Sequence, residues 1–121
     1  MMSDNVIKTK SFNFALRIIK LSQFLNVEKK EFVLSKQLLR SGTSIGALVR
    51  ESEQAESKKD FIHKLAIAQK EANETDYWLE LLFQSDYLND TQFRSIKSDI
   101  LEINKILASI IITTKQKLSA N

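Results

Sequence analysis

The chain has no cysteine and no proline, and only two glycines among its 121 residues. Without cysteine there is no disulfide scaffold and no thiol catalysis, and a reducing cytoplasm is the expected setting. Without proline, and with so little glycine, few positions interrupt a helix, so long helices are expected. Histidine is as scarce. The single imidazole, His63, has no acid around it in an HExxH or ExxH arrangement. A metal centre needs several ligands at fixed spacing, so His63 reads as a surface residue and no metal or cofactor is expected. No Ser–His–Asp order or nucleophile elbow occurs, and the only Ser-Gly pair, Ser41-Gly42, falls inside a helical pattern. No catalytic residue is assigned, and the protein is not expected to be an enzyme. No apolar run approaches the ~20 residues of a membrane span, and the opening MMSDNVIKTKS has no signal-peptide apolar centre. No membrane partner is expected.

What is present is a helical pattern. At 43% hydrophobic and 27% charged residues the chain is globular in composition, and its length suits one domain over 1–121, with residues 1–9 expected as a flexible tail. A first helix is predicted from about Lys10 to Leu25, with Phe12, Ala15, Leu16 and Ile19 as its apolar set and Phe14, Ile18, Leu21 and Leu25 beside them. A second is predicted from about Lys29 to Gln54, stepping through Leu34, Leu38, Ser41, Ile45 and Leu48, with Ser35, Leu39, Gly42, Gly46 and Val49 as a neighbouring row. A third starts near Ser57, with Asp60 in a capping-box-like position. Its seam is Phe61, Leu65, Ala68, Ala72, Thr75, Leu79 and Leu82. A fourth starts after Asn89 or Asp90 and steps through Phe93, Ile96, Ile100, Ile103, Leu107, Ile110 and Thr114. Short connections make consecutive helices antiparallel neighbours. The expected fold is therefore all-α, an up-down-up-down antiparallel four-helix bundle. The cluster Tyr77, Trp78, Phe83 and Tyr87 either plugs the bundle end or offers a contact surface for another subunit, and the apolar rows beyond one seam on the first and fourth helices exceed what one bundle buries and point to a homo-oligomer.

Charge is unevenly placed. Residues 1–50 carry nine Lys/Arg against three acids, while residues 51–104 carry six against twelve. This asymmetry suggests an anionic partner for the first half, or pairing of the two halves within an assembly. Lys10, Arg17 and Lys20 share a row on the first helix, and Lys36, Arg40 and Arg50 share one on the second. Two such rows side by side would form a ridge for RNA or DNA phosphates, with little base specificity. The alternative is an acidic protein partner docked on the same face. The carboxylates Glu71, Glu74 and Asp76 could suggest an inward metal site, but no ExxH pair accompanies them and they read as a solvated face.

Both glycines lie in the stretch RSGTSIGALVRE, residues 40–51. GTSIG lacks the GxxxxGK[ST] phosphate-loop spacing and follows no strand. Gly42 and Gly46 are one helical turn apart, so the expectation is a close helix contact in preference to a hinge, with Ala47, Ala66, Ala68 or Ala72 as candidates to lie opposite.

The segment QLLRSGTSIGALVRESEQAESKKDFIHKLAIAQKEANETDYWLELL resembles the motif region of the four-helix-bundle 23S rRNA intervening-sequence proteins. Positions matching that family's pattern are Leu39, Arg40, Ser44, Ile45, Glu51, Phe61, Leu65, Ala68, Glu74 and Leu79, and the resemblance covers about residues 12–118. The chain departs from the pattern where Ser41-Gly42 holds the small pair, where Leu48 (or Ala47) replaces an Asn, and where Ser52 replaces a Gly. The resemblance implies a bacterial protein, often encoded within 23S rRNA genes. It further implies kinship with the accessory variability proteins of diversity-generating retroelements, which form pentameric barrels and bind nucleic acid and a reverse transcriptase. A pentameric ring is therefore what the resemblance implies here. A ribosomal-protein label attaches to this family without implying ribosome membership.

Overall fold

The computed structural model describes residues 2–120, with side chains from Val6 onward. Four helices follow one another: α1 Met2–Val27, α2 Leu34–Ser52, α3 Lys58–Gln84 and α4 Asp90–Ala120. Each packs on its sequence neighbour and α4 closes against α1; among the described residues the backbones of diagonal helices do not approach closely. This is the antiparallel four-helix bundle expected from the short connections. No described residue is in a strand, and no helix is long and apolar enough to cross a membrane.

The α3 and α4 seams are buried as their heptads require. Leu65, Ala68, Ala72, Thr75, Leu79 and Leu82 line the core from α3, and Ile96, Ile100, Ile103, Leu107 and Ile110 face them from α4. The β-branched run at 106–112 stays helical because its inward positions belong to this seam. Phe83 stacks on Phe93 across the α3–α4 seam, with ring centroids 4.2 Å apart. Lys97 clasps the same two helices, donating to Asp76 and, at 3.2 Å, to Glu80. Burial alone would lower this ammonium's pKa, but the two carboxylates outweigh it and hold the group above its ordinary value.

In α1 the structure corrects the predicted face. The inward row is Ile7, Ser11, Phe14, Ile18, Ser22 and Leu25, all buried, while Phe12, Leu16 and Ile19 are 48%, 46% and 39% exposed. Two serines interrupt the true seam, so its hydrophobic signal is weaker than that of the outward row. The expected tail over 1–9 is helical from Met2 as far as it is described, because Ile7 is buried and carries the helix outward; Met1 lies outside the described residues.

Helix α2 begins at Leu34, later than the reading from Lys29. Glu31 is the reason. Its carboxylate accepts from the backbone N–H groups of Val33, Leu34 and Ser35 at 3.1, 3.0 and 2.7 Å, which satisfies the free donors of the first turn. The other starts follow their caps. The Ser57 hydroxyl accepts from the Asp60 N–H at 3.0 Å. Asn89 and Gln92 bond reciprocally, side chain to backbone, at 2.8 and 2.9 Å.

Candidate nucleic-acid interface

The two basic rows sit on opposite sides of the bundle. Lys10 pairs with Glu102 at 2.7 Å. Arg17 pairs with Asp99 and donates to the Ser95 hydroxyl at 2.8 Å. Both residues therefore look across the α1–α4 seam. Arg40 looks across the α2–α3 seam instead, bonding Glu71 at 3.2 Å and also Glu74. Glu74 further accepts from the Trp78 indole N–H at 3.2 Å. Arg50 lies over the Phe12 ring, 5.2 Å from its centroid, at the α1–α2 seam. Lys10 and Arg17 lean toward α4, Arg40 leans toward α3 and Arg50 toward α1, so the candidates face three different seams. A single ridge does not form.

The charge asymmetry of the chain is thus satisfied in part inside one bundle, at four of the nine first-half cations. Cations of the first half meet acids of the second, and Lys8 with Glu53 at 3.2 Å adds another such pair. Glu71 and Glu74, considered as inward metal ligands, are partners of Arg40. His63 is exposed, and among the described residues no group of three or more His, Cys, Asp or Glu is placed to hold a metal ion.

Lys20 and Lys36 differ from Lys10, Arg17 and Arg40, which are ion-paired, and from Arg50, which is unpaired but lies over Phe12. Both are exposed and make no ion pair with another described residue. They lie near the end of the bundle where α1 turns into α2. Lys20 is seven residues before the end of α1, about 10 Å along its axis, and Lys36 is in the first turn of α2. Lys29 and Lys30, in the connection between them, are also exposed and without an ion pair to a described residue. Nearby acids are the exposed Glu28 and, at the same end, Asp86 on the α3–α4 connection and Asp90 at the start of α4, the last paired with Arg94 at 2.9 Å.

Both glycines face α1. A Cβ on Gly42 would sit 2.9 Å from Cγ1 and Cγ2 of Ile18, and one on Gly46 would sit 3.3 Å from the Ser11 carbonyl oxygen. The neighbours are therefore Ile18 and Ser11, where alanines were expected; Ala68 and Ala72 belong to the α3 core seam and Ala47 is exposed.

A family model described as 23S rRNA-intervening sequence protein matches residues 3–109. The chain belongs to the 23S rRNA-intervening sequence protein family. This family member is similar to a Bacteroides thetaiotaomicron VPI-5482 protein of the S23 ribosomal protein family, described as of unknown function and solved at 1.70 Å. Identity is 62%, the TM-score is 0.89, and the match covers 90% of this chain and 97% of that one. No curated protein matches. Within this intervening-sequence protein, the residues that sequence reasoning passed over are Lys30, Glu31 and Phe32, while Lys29 belongs to the basic row of the second helix without being a site candidate. Their run KKEFV was read as the start of a helix, and the signal that could have corrected it is a Glu followed by Ser35, four residues on, at a helix entry.

Proposed function

We propose that this intervening-sequence protein is a non-catalytic, self-associating helical bundle that contacts RNA or DNA backbones at the α1–α2 end. The observation that carries the reading is the set of exposed lysines there, Lys20, Lys29, Lys30 and Lys36, none ion-paired to a described residue. Unpaired lysines can displace the counterions condensed on a phosphate backbone directly, whereas Lys10, Arg17 and Arg40 would first have to surrender their carboxylates. Binding is therefore expected to be steeply salt-dependent and weakly base-specific. Lys20→Ala with Lys36→Ala should weaken it at low salt and lessen the salt slope by about two. Absence of binding to both generic RNA and duplex DNA at low salt would overturn the proposal.

A different observation favours the second reading, an association module. Phe12, Leu16 and Ile19 form an exposed apolar stripe on α1, and Leu39, 36% exposed, lies three residues before Gly42 on the α1-facing side of α2. We assign this face to contact between copies, in a ring whose five-fold form is the family expectation. Leu16→Lys is expected to retain helical content and to move the protein toward its 13.9 kDa monomer in sedimentation. A native chain that is already monomeric at micromolar concentration would refute the assembly. A bundle that assembles yet binds no nucleic acid would leave docking of an acidic protein, such as a reverse transcriptase, as the role of the basic end.

A further inference from the structure

The connection between α1 and α2 exposes three large apolar side chains in a row of seven residues. Val27 is 63%, Phe32 60% and Val33 72% exposed, more than any other large apolar residue described. Such exposure at a loose loop would mean little, but this loop is built. Glu31, 7% exposed, holds the backbone N–H groups of Val33, Leu34 and Ser35. Its own N–H donates to the Leu25 carbonyl at 2.9 Å. The buried Ser35 hydroxyl bonds the Asn26 side chain at 2.8 Å and the Glu31 carbonyl at 2.9 Å. Lys30 is held in the left-handed region at φ 54°. A hidden polar frame thus keeps apolar groups pointing at water, at a cost that burial against a partner would offset.

The chemistry around the apolar tip selects the partner. Lys29, Lys30 and Lys36 flank Phe32 in the chain, and Glu28 is the one exposed acid on the connection. An exposed aromatic face with lysines on either side matches a strand whose bases are unstacked and whose phosphates run alongside. Duplex bases are already stacked and offer Phe32 no face. We infer that the α1–α2 tip is a single-stranded nucleic-acid contact, with Phe32 as a stacking platform between Val27 and Val33, and Lys29, Lys30 and Lys36 on the phosphates. This rests on the backbone-binding reading above and adds to it a strand preference and a stacking residue.

The test compares an unstructured oligouridine of about 15 nucleotides with a duplex of the same length. The native protein should bind the single strand more tightly. Phe32→Ala should weaken that binding by about tenfold or more, leave the duplex affinity within about twofold, and leave helical content and melting temperature unchanged, since the ring is exposed. Phe32→Trp should retain the affinity and show fluorescence quenching on adding oligouridine, beyond the signal from Trp78 in the native chain. Equal affinity for both probes, indifferent to Phe32→Ala, would overturn the tip assignment and leave backbone binding standing. No binding to either probe at low salt would remove both. Phe32-dependent sedimentation, or Phe32-dependent binding to phosphatidylserine vesicles without oligouridine binding, would also overturn it, assigning the tip to another copy or to a lipid surface.

Discussion

Gly42→Leu should unfold the bundle partly or wholly, or force α1 away from α2. A Cβ alone would stand 2.9 Å from both Cγ atoms of Ile18 and 3.3 Å from its Cβ. Those atoms sit at the stiff, branched root of a fully buried side chain, so they cannot swing aside. Overpacking in a dense core costs about 1–3 kcal/mol, and leucine adds three further carbons to a space that lacks room for one. The loss should therefore exceed about 3 kcal/mol, visible in chemical denaturation as a lowered midpoint. Gly42→Ala separates the terms. Alanine gains about 0.5–1 kcal/mol of helix propensity, yet the clash should leave a net destabilisation. Combining it with Ile18→Ala should cost less than the two single losses added together, because the cavity receives the new methyl. Gly46→Ala meets only the Ser11 carbonyl at 3.3 Å, so its effect should be markedly smaller. An unchanged denaturation midpoint in Gly42→Leu would show that the α1–α2 face is open.

Glu31→Ala is expected to be nearly as damaging, although Glu31 lies in no apolar seam. The substitution strips one acceptor from three backbone donors at the start of α2, of which the Ser35 N–H is buried. Loss of a cap costs about 0.5–2 kcal/mol, and a charge-assisted bond to a buried donor about 1.5–3 kcal/mol. A net loss of about 2–4 kcal/mol is the expected outcome. Glu31→Gln keeps an acceptor and should lose less than half as much. Hydrogen exchange gives the sharper readout: the Val33, Leu34 and Ser35 amides should exchange faster in Glu31→Ala while the α3 and α4 amides keep their relative order. Equal protection in the variant would mean that another group caps the helix. Because this frame also holds Phe32 outward, Glu31→Ala should weaken the single-strand contact without touching Phe32 itself.

The parts of the fold legible in the sequence are those where one physical cause acts alone. The α3 and α4 seams are unbroken apolar heptads, and burial of those residues is what makes them seams. Ser57 with Asp60 announced the start of α3 because a hydroxyl and a short acid at that spacing satisfy local donors. The glycine pair was legible as a contact because nothing else explains two weak helix formers a turn apart. Where causes compete, the sequence misleads. In α1 the more apolar row faces out and a serine-interrupted row faces in, since only the latter places Ser11 and Ile18 under the two glycines. In the α1–α2 connection a strong helical pattern yields to Glu31, whose side chain takes the role of the preceding turn.

By itself the sequence determined a bundle of four long helices, the seams of α3 and α4, and the excess of cations in one half and anions in the other. Those depend on periodicity and composition, which a linear chain carries. Only the tertiary structure decided which cations are already spent. Lys10 and Arg17 of α1 face α4 and Arg40 of α2 faces α3, so these three close seams of the bundle, while Lys20, Lys29, Lys30 and Lys36 make no such ion pair. Charge is a property of residues, but whether it is available is a property of what stands within a few ångströms of it, and that distance exists only after folding.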